Sequence, residues 1–506
     1  MRSPYLPIIL LTFAAGVTYL ACFEGLQVGQ HVDDASYVML AKSLLSGQGY
    51  RQIAYPGAPP ETKYPPLLPL LTTPCLWLAG GALWAARIPA LLCALAAVPV
   101  LWLLLRRLAE GWTLWLLTAV VALHPMVVGY AGMAMTEAPS LLLTWAVLLL
   151  LLRGEDDERP LAYWLVIGLL LGLGLLLRTD MVALLAAGLL WLLWRRKWPA
   201  AAVTALGAIL PVLPWWLYLR HVAAGSETYL HEVVVAWWDP SPLPLRLWHG
   251  LVIYLGDYLP QVVTLAFGEK VTGLAASHGL LPAVTALQWL SALLIVIGAV
   301  RLWRQVPALI LLFVMVRLGM LLGFARVTRY LLPMLPFLVA FLAAGLGMWG
   351  QGFRCCPRLP RALPVLGVLL FLALARNVLQ VMDPPRKHYP DLVAGGQLVR
   401  DHTPPGAVIA CTWIAKSLWL YTEDRQVQEL RQGANVLPSV AAMAPLVARS
   451  DFVLSVRTDE GPAPDLAKLP GVPPLAPVAR SPDGRLVLWR VPKPASRPPT
   501  RRQSSP

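Results

Sequence analysis

The chain has 506 residues, of which 58% are hydrophobic and only 13% charged, whereas a soluble globular domain carries nearer a quarter charged. That balance excludes a soluble fold and predicts a polytopic α-helical membrane protein. The net charge of +14 does not point to nucleic acid, because Lys and Arg sit in short clusters between apolar stretches, where they read as topology signals. The six cysteines, Cys22, Cys75, Cys93, Cys355, Cys356 and Cys411, lie mostly in or beside apolar segments without metal-ligand spacing, so neither a disulfide framework nor a zinc site is expected.

A membrane span needs about 20 apolar residues. About eleven stretches qualify: 5–24, 84–105, 112–129, 138–152, 161–177, 181–194, 199–219, 284–300, 306–323, 329–348 and 362–380. The first carries one preceding basic residue, Arg2, and no convincing cleavage site, which favours an uncleaved span over a signal peptide. The stretch 66–81 begins after two prolines and reads as a partial or re-entrant helix. With the N-terminus cytoplasmic, Arg106-Arg107, Arg195-Arg196-Lys197, Arg301 with Arg304, and Arg354, Arg358 and Arg361 all fall in short cytoplasmic loops, as the positive-inside rule requires. Residues 25–65, 133–139, 220–283 and the chain after about Met382 are then extracytoplasmic. No phosphate-binding glycine loop and no dinucleotide fingerprint occurs on the other side.

The first outer loop, 25–65, holds the adjacent acids Asp33 and Asp34. A helix-period pattern follows, with Tyr37, Leu40, Ala41, Leu44 and Leu45 on one face, and predicts an amphipathic helix lying on the membrane surface. Gly47, Gly49 and Tyr50 end it, and Pro56, Gly57, Pro59 and Pro60 keep the chain irregular up to Glu61-Thr62-Lys63-Tyr64-Pro65-Pro66. One reading makes Asp33 or Asp34 the N-cap of a helix starting at Ala35. The other makes one of them a general base, its proton affinity raised by the adjacent charge.

Glu137, in the short loop Tyr130–Pro139, falls on the same side of the membrane and reads either as a cap for a helix starting at Ala138 or as a second functional carboxylate. Arg178-Thr179-Asp180 and the pair Arg326 and Arg329 lie on the outer side against the positive-inside bias. They are either snorkelling residues or ligands of a lipid phosphate, whose oxygens match guanidinium donors. Arg317, in the middle of a span, requires a partner or a cavity. His221, His231, Trp237, Trp238, Trp248 and His249 enrich the 220–283 loop, where interfacial anchoring outweighs sugar stacking. Residues 382–491 change in composition. A helix over Asp391–His402 and strands over Ala407–Cys411, Asp451–Val456 and Arg485–Val491 predict a small α/β domain. The tail 492–506, of Pro, Ser and Arg, has nothing to bury and is expected to be disordered.

The Asp33-Asp34 pair, Glu61-Thr62-Lys63-Tyr64-Pro65-Pro66, Glu137 and Arg329-Tyr330-Leu331-Leu332-Pro333-Met334-Leu335-Pro336 together resemble the GT-C glycosyltransferases. The likeness is to the protein O-mannosyltransferase and lipid A aminoarabinose transferase group, family 39, and covers roughly residues 5–350. It implies a GT-C membrane domain over 1–381 and an inverting transfer on the outer face from a polyprenyl-phosphate sugar to a lipid, glycan or protein acceptor. Asp33 matches the first acid of the group's Asp-Glu motif and so acts as general base, and Asp34 stands in place of the Glu. Lys63 corresponds to the lysine beside the donor phosphate, although Thr62 separates it from Glu61. Glu137 matches the second acidic position, and Arg178, Arg326 or Arg329 would steady the lipid phosphate. Tyr37, Glu61, Tyr64 and Tyr330, in or beside these motifs, become candidate substrate-binding residues. The resemblance places the chain in a bacterial-type plasma membrane and leaves a divalent metal open. A polytopic lipid or polysaccharide transporter, or a non-catalytic assembly subunit, is the alternative; a transporter should carry ionisable groups inside several spans, and Arg317 is nearly alone at depth.

Overall fold

The computed structural model describes residues 5–23, 26–156, 159–222, 241–265, 269–324, 327–346, 362–384, 391–412, 415–422, 424–430, 440–456 and 474–492. His231, Trp237, Trp238, Arg326, Arg354, Arg358, Arg361, Cys355, Cys356 and all but the first residue of the 492–506 tail lie outside them. The chain divides into two units, one of residues 1–25 with 62–384 and the other of 26–61 with 385–506.

The first unit is helical, and every stretch read as a span coincides with an apolar helix. Six of these helices are long and apolar enough to cross a bilayer on their own: Leu83–Leu105, Glu137–Glu155, Trp198–Val222, Leu281–Leu302, Thr328–Gly345 and Leu363–Met382. A seventh crossing is available if Gly111–Ala122 and Pro125–Ala131, bent by 53°, act as one. The bend has a local cause, since Pro125 cannot continue the preceding hydrogen-bond ladder and the His124 ring accepts from the Met126 N–H at 3.2 Å to start a new helix. Leu6–Ala21, Leu161–Leu177, Thr179–Trp194 and Ala308–Gly323 are shorter apolar helices, and the 66–81 stretch forms a helix of 12 residues, Leu67–Leu78. The protein is a multi-pass membrane protein.

Between apolar helices there is no hydrophobic gain from lipid, so close backbone approach supplies the attraction. Gly298 and Gly345 show this between Leu281–Leu302 and Leu335–Gly345. A Cβ added at Gly298 would sit 1.7 Å from the Phe341 carbonyl oxygen, and one at Gly345 would sit 1.8 Å from that of Leu294. Either position admits glycine alone.

The second unit is built on a five-stranded mixed sheet of order β2-β1-β3-β5-β4, with β1 Val408–Cys411, β2 Gln426–Glu429, β3 Phe452–Val456, β4 Ala476–Arg480 and β5 Leu486–Arg490. Strands β1, β2 and β3 run parallel, while β5 is antiparallel to both β3 and β4. Every residue of β3 is buried, as its uninterrupted apolar run Phe452-Val-Leu demands of a central strand. The expected helix is Leu392–His402, whose N-cap Asp391 accepts from Val393 and Ala394 N–H groups at 2.9 and 3.1 Å. The three expected strands are β1, β3 and β5; β2 and β4 were not legible, each being short and polar or proline-containing.

The loop segment 26–61 belongs to this second unit. Its helix is Val32–Leu45, which begins three residues before the expected Ala35. Asp34, Ala35, Ser36, Tyr37, Val38, Met39, Leu40 and Ala41 are all buried. More than two turns buried in succession leave no solvent or lipid stripe, so this is a packed helix and not the surface-lying amphipathic one expected. Polar ties hold the loop segment to the C-terminal segment. The Gln27 amide donates to Asp391 Oδ1 at 2.8 Å while its oxygen accepts from Leu392 N–H at 2.8 Å. Tyr421 O–H donates to the Val28 carbonyl at 2.8 Å, and Val427 N–H to that of Ala54 at 2.8 Å.

Candidate active site

In the second unit the acids sit in the first turn of Val32–Leu45, where the exposed N–H groups favour negative charge. His31 is the N-cap position and makes no side-chain cap bond, so neither acid caps the helix. Asp34, 3% exposed, reaches back instead. Its Oδ2 accepts from Gly29 N–H at 2.7 Å and its Oδ1 from Ala35 N–H at 2.8 Å. Gly29 makes that turn at φ 99°, a conformation that favours glycine. Asp33 is half-buried beside it, and Tyr37 is buried one turn further on. Glu61 is fully buried and its N–H donates to the Tyr50 carbonyl at 3.1 Å. Tyr55 O–H donates to Glu429 Oε2 at 3.3 Å. Burial first, and the Glu429 carboxylate second, push the Tyr55 phenol well above its ordinary value.

In the helical unit a buried ion cluster gathers residues far apart in sequence. The helix Glu137–Asp156 begins at Glu137 itself, whose carboxylate does not cap it. Glu137 Oε1 accepts from Arg178 Nη1 at 2.8 Å and faces Arg329 Nε at 3.4 Å. Its Oε2 is buried without a hydrogen-bond partner among the described residues. Arg178 also donates from Nη1 to Thr136 Oγ1 at 2.9 Å and from Nε to Asp180 Oδ1 at 3.1 Å. Arg317, 1% exposed, donates from Nη2 to Asp180 Oδ2 at 2.8 Å and from Nε to the Tyr330 carbonyl at 3.1 Å. The Tyr330 ring lies 5.0 Å from the Arg178 guanidinium carbon and 5.8 Å from that of Arg329, within cation–π range.

Three guanidinium groups thus meet two carboxylates among the described residues. Lys63 is half-buried with its ammonium 5.5 Å from the Tyr64 ring centre, and Tyr64 is buried.

Of the residues singled out from sequence, the helical unit brings together Glu137, Arg178, Arg329 and Tyr330; Asp33, Asp34, Tyr37 and Glu61 lie in the other unit, and Arg326 is outside the described residues. The partner required by Arg317 proves to be Asp180, which sequence reading quoted beside Arg178 without assigning it a task. The signal was present: a buried guanidinium needs an anion, and Asp180 is an acid at the junction of two apolar helices. Among the described residues no group of three or more His, Cys, Asp or Glu side chains is arranged to hold a metal ion.

The described residues define a polytopic helical membrane protein with a small mixed-sheet unit. The family model described as dolichyl-phosphate-mannose-protein mannosyltransferase matches residues 63–218. The chain is similar in structure to ArnT from Cupriavidus metallidurans bound to undecaprenyl phosphate, with 15% identity, 98% of this chain and 99% of that chain covered, and a TM-score of 0.60. The apo state of the same protein aligns with 16% identity, 96% and 98% coverage and a TM-score of 0.55. The archaeal oligosaccharyltransferase AglB from Archaeoglobus fulgidus, in complex with an inhibitory peptide and a dolichol-phosphate, aligns with 12% identity, 90% and 70% coverage and a TM-score of 0.50. No curated protein matches the sequence. The resemblance drawn from the short motifs is borne out by the matched family model and by the fold.

Proposed function

We infer that the protein is an integral-membrane inverting glycosyltransferase that moves a sugar from a polyprenyl-phosphate donor to a lipid, glycan or protein acceptor on the extracytoplasmic face of a bacterial-type plasma membrane. The observation that carries this reading is the convergence of Arg178, Arg317 and Arg329 on Glu137 and Asp180 in the helical unit. A lipid phosphate that departs from the anomeric carbon gains negative charge along the reaction. Fixed cations therefore stabilise the transition state more than the ground state. Lys63, whose place in its motif corresponds to a phosphate-binding lysine, adds to the same term.

In this reading the acceptor hydroxyl or amine attacks the anomeric carbon opposite the phosphate, the bond from that carbon to the phosphate oxygen breaks, and the electron pair stays on the lipid phosphate. Asp33 takes the acceptor proton. Its neighbour Asp34 is held by two backbone N–H groups and serves the geometry of the turn, which leaves Asp33 as the acid for proton transfer. Tyr37, Glu61, Tyr64 and Tyr330 are assigned to substrate contacts on their motif positions alone. The ArnT and AglB structures were solved with undecaprenyl phosphate and dolichol-phosphate respectively, which supports a lipid phosphate as the donor class.

The test is transfer of radiolabelled sugar from a panel of synthetic polyprenyl-phosphate sugars to membrane acceptors, with the native protein and Asp33→Asn in matched membranes. Transfer by the native protein that disappears in the variant, with donor binding retained, is the expected result. Equal transfer by both removes Asp33 as the base, and no transfer from any donor, with lipid flipping in its place, replaces the reading by a transporter.

A further inference from the structure

We propose that Lys416, supplied by the C-terminal segment, is a positioning residue for the acid pair: its ammonium holds Asp33 ionised by standing on the Asp33 face of the helix Val32–Leu45. The inference rests on the assignment of Asp33 as the base and adds a residue roughly 380 positions away, outside the stretch covered by the matched family model.

The geometry lies within the second unit. The short helix Ala415–Trp419 packs on Val32–Leu45. At the turn that donates to Asp34, a Cβ added to Gly29 would come within 3.3 Å of Ser417 Cα and Cβ, so the residue next to Lys416 backs the acid turn directly. Lys416 Nζ donates to Ser36 Oγ at 3.3 Å. Ser36 is three residues after Asp33, and positions three apart share a helix face with Cβ atoms about 5–6 Å apart. The Lys416 ammonium also stands 5.9 Å from the Tyr55 ring centre, and that ring is fixed by its bond to Glu429. Lys416 is thus held on two sides.

The charge balance around Asp33 gives the lysine its task. On the acid helix and its cap lie His31, Asp34, Tyr37 and Lys42. The preceding turn rests on Tyr421. The loop contributes Arg51, Tyr55 and Glu61, β1 contributes Cys411, β2 contributes Glu429, and the short helix contributes Lys416. Asp34, with two N–H donors, is a carboxylate one residue from Asp33 and favours protonation of its neighbour. A base must be ionised before it can accept a proton, and a nearby cation lowers the proton affinity of a carboxyl. Lys416 offsets the Asp34 charge on the face where Asp33 stands.

The experiment reads Asp33 directly, without need of transfer. Full-length protein in membranes is treated with a carbodiimide, which modifies protonated carboxyls, over a range from acid to neutral pH, and modification of Asp33 is followed by peptide fragmentation mass spectrometry. The pH of half-modification is expected to rise by about one unit in Lys416→Met and to stay at the native value in Lys416→Arg. Lys416→Gln, which keeps a donor for Ser36 but carries no charge, should behave as Lys416→Met does and serves if the latter fails to accumulate. An unchanged midpoint in the uncharged variants overturns the proposal. Sugar transfer measured on the same membranes judges the enzymatic reading separately, since its absence would overturn that reading while the labelling midpoint still decides the role of Lys416.

Discussion

The two polar centres handle buried carboxylates by opposite means. In the helical unit, Glu137 and Asp180 are matched by the guanidinium groups of Arg178, Arg317 and Arg329 at 2.8 to 3.4 Å. On the helix Val32–Leu45, Asp34 is matched by backbone N–H groups of Gly29 and Ala35. Ion pairing cancels charge and joins segments distant in sequence, which suits a body of apolar helices that must be locked together where water is scarce. Backbone donors leave the carboxylate charge intact. The first arrangement draws on side-chain cations and the second on backbone dipoles.

Substitutions should separate the two centres. The largest effect is expected for Asp33→Asn, which should reduce sugar transfer by roughly 10²–10⁴-fold while leaving the unfolding temperature of the detergent-solubilised protein unchanged; a parallel loss of stability would make the acid turn structural. Arg317→Met should destabilise the helical unit by about 3–5 kcal/mol, because Asp180 and the Tyr330 carbonyl lose a buried donor. Thermal unfolding in detergent checks this, and a fully stable but inactive variant would assign the arginine to chemistry alone. Asp34→Ala takes from Gly29 N–H its side-chain acceptor and leaves Ala35 N–H only the His31 carbonyl at 3.4 Å, and should cost about 1–3 kcal/mol, read as earlier proteolysis of the first loop.

The smallest effect depends on pH. The Tyr55 phenol has its proton affinity raised by burial and by Glu429, so the folded state holds this proton more tightly than the unfolded chain. Its contribution is complete below the ordinary tyrosine value of 10.0 and erodes as pH rises beyond it. Tyr55→Phe should cost about 1 kcal/mol at neutral pH and flatten the alkaline decline of stability, followed by denaturation at a series of pH values. An unchanged alkaline limb would exclude Tyr55 as its source.

Much of this architecture is legible in the sequence. Runs of Leu, Ala and Val long enough to match a bilayer mark the helices of the first unit, and alternation with Pro and Gly turns marks the helix Leu392–His402 and strands β1, β3 and β5. The acid pair, Glu137 and the arginines on the outer side stand out because ionisable groups beside apolar runs are costly without a reason. The placement of the first loop was not legible. Tyr37, Leu40, Ala41, Leu44 and Leu45 fit one face of a helix, and that period alone cannot distinguish lipid from protein as the apolar partner. Nor could the Asp33-Asp34 spacing separate an N-cap from the second and third positions of a helix that starts earlier.

By itself the sequence determined the membrane class, the apolar helices and the ionisable residues that stand beside them, since length, hydropathy and charge placement are local properties. Tertiary structure alone decided that Asp180 answers Arg317, that Glu137 is shared by Arg178 and Arg329, and that Lys416 stands beside the acid helix. Each of these depends on which of several equally suitable partners the packing brings within about 3 Å, the range where hydrogen bonds form. No local pattern encodes that choice.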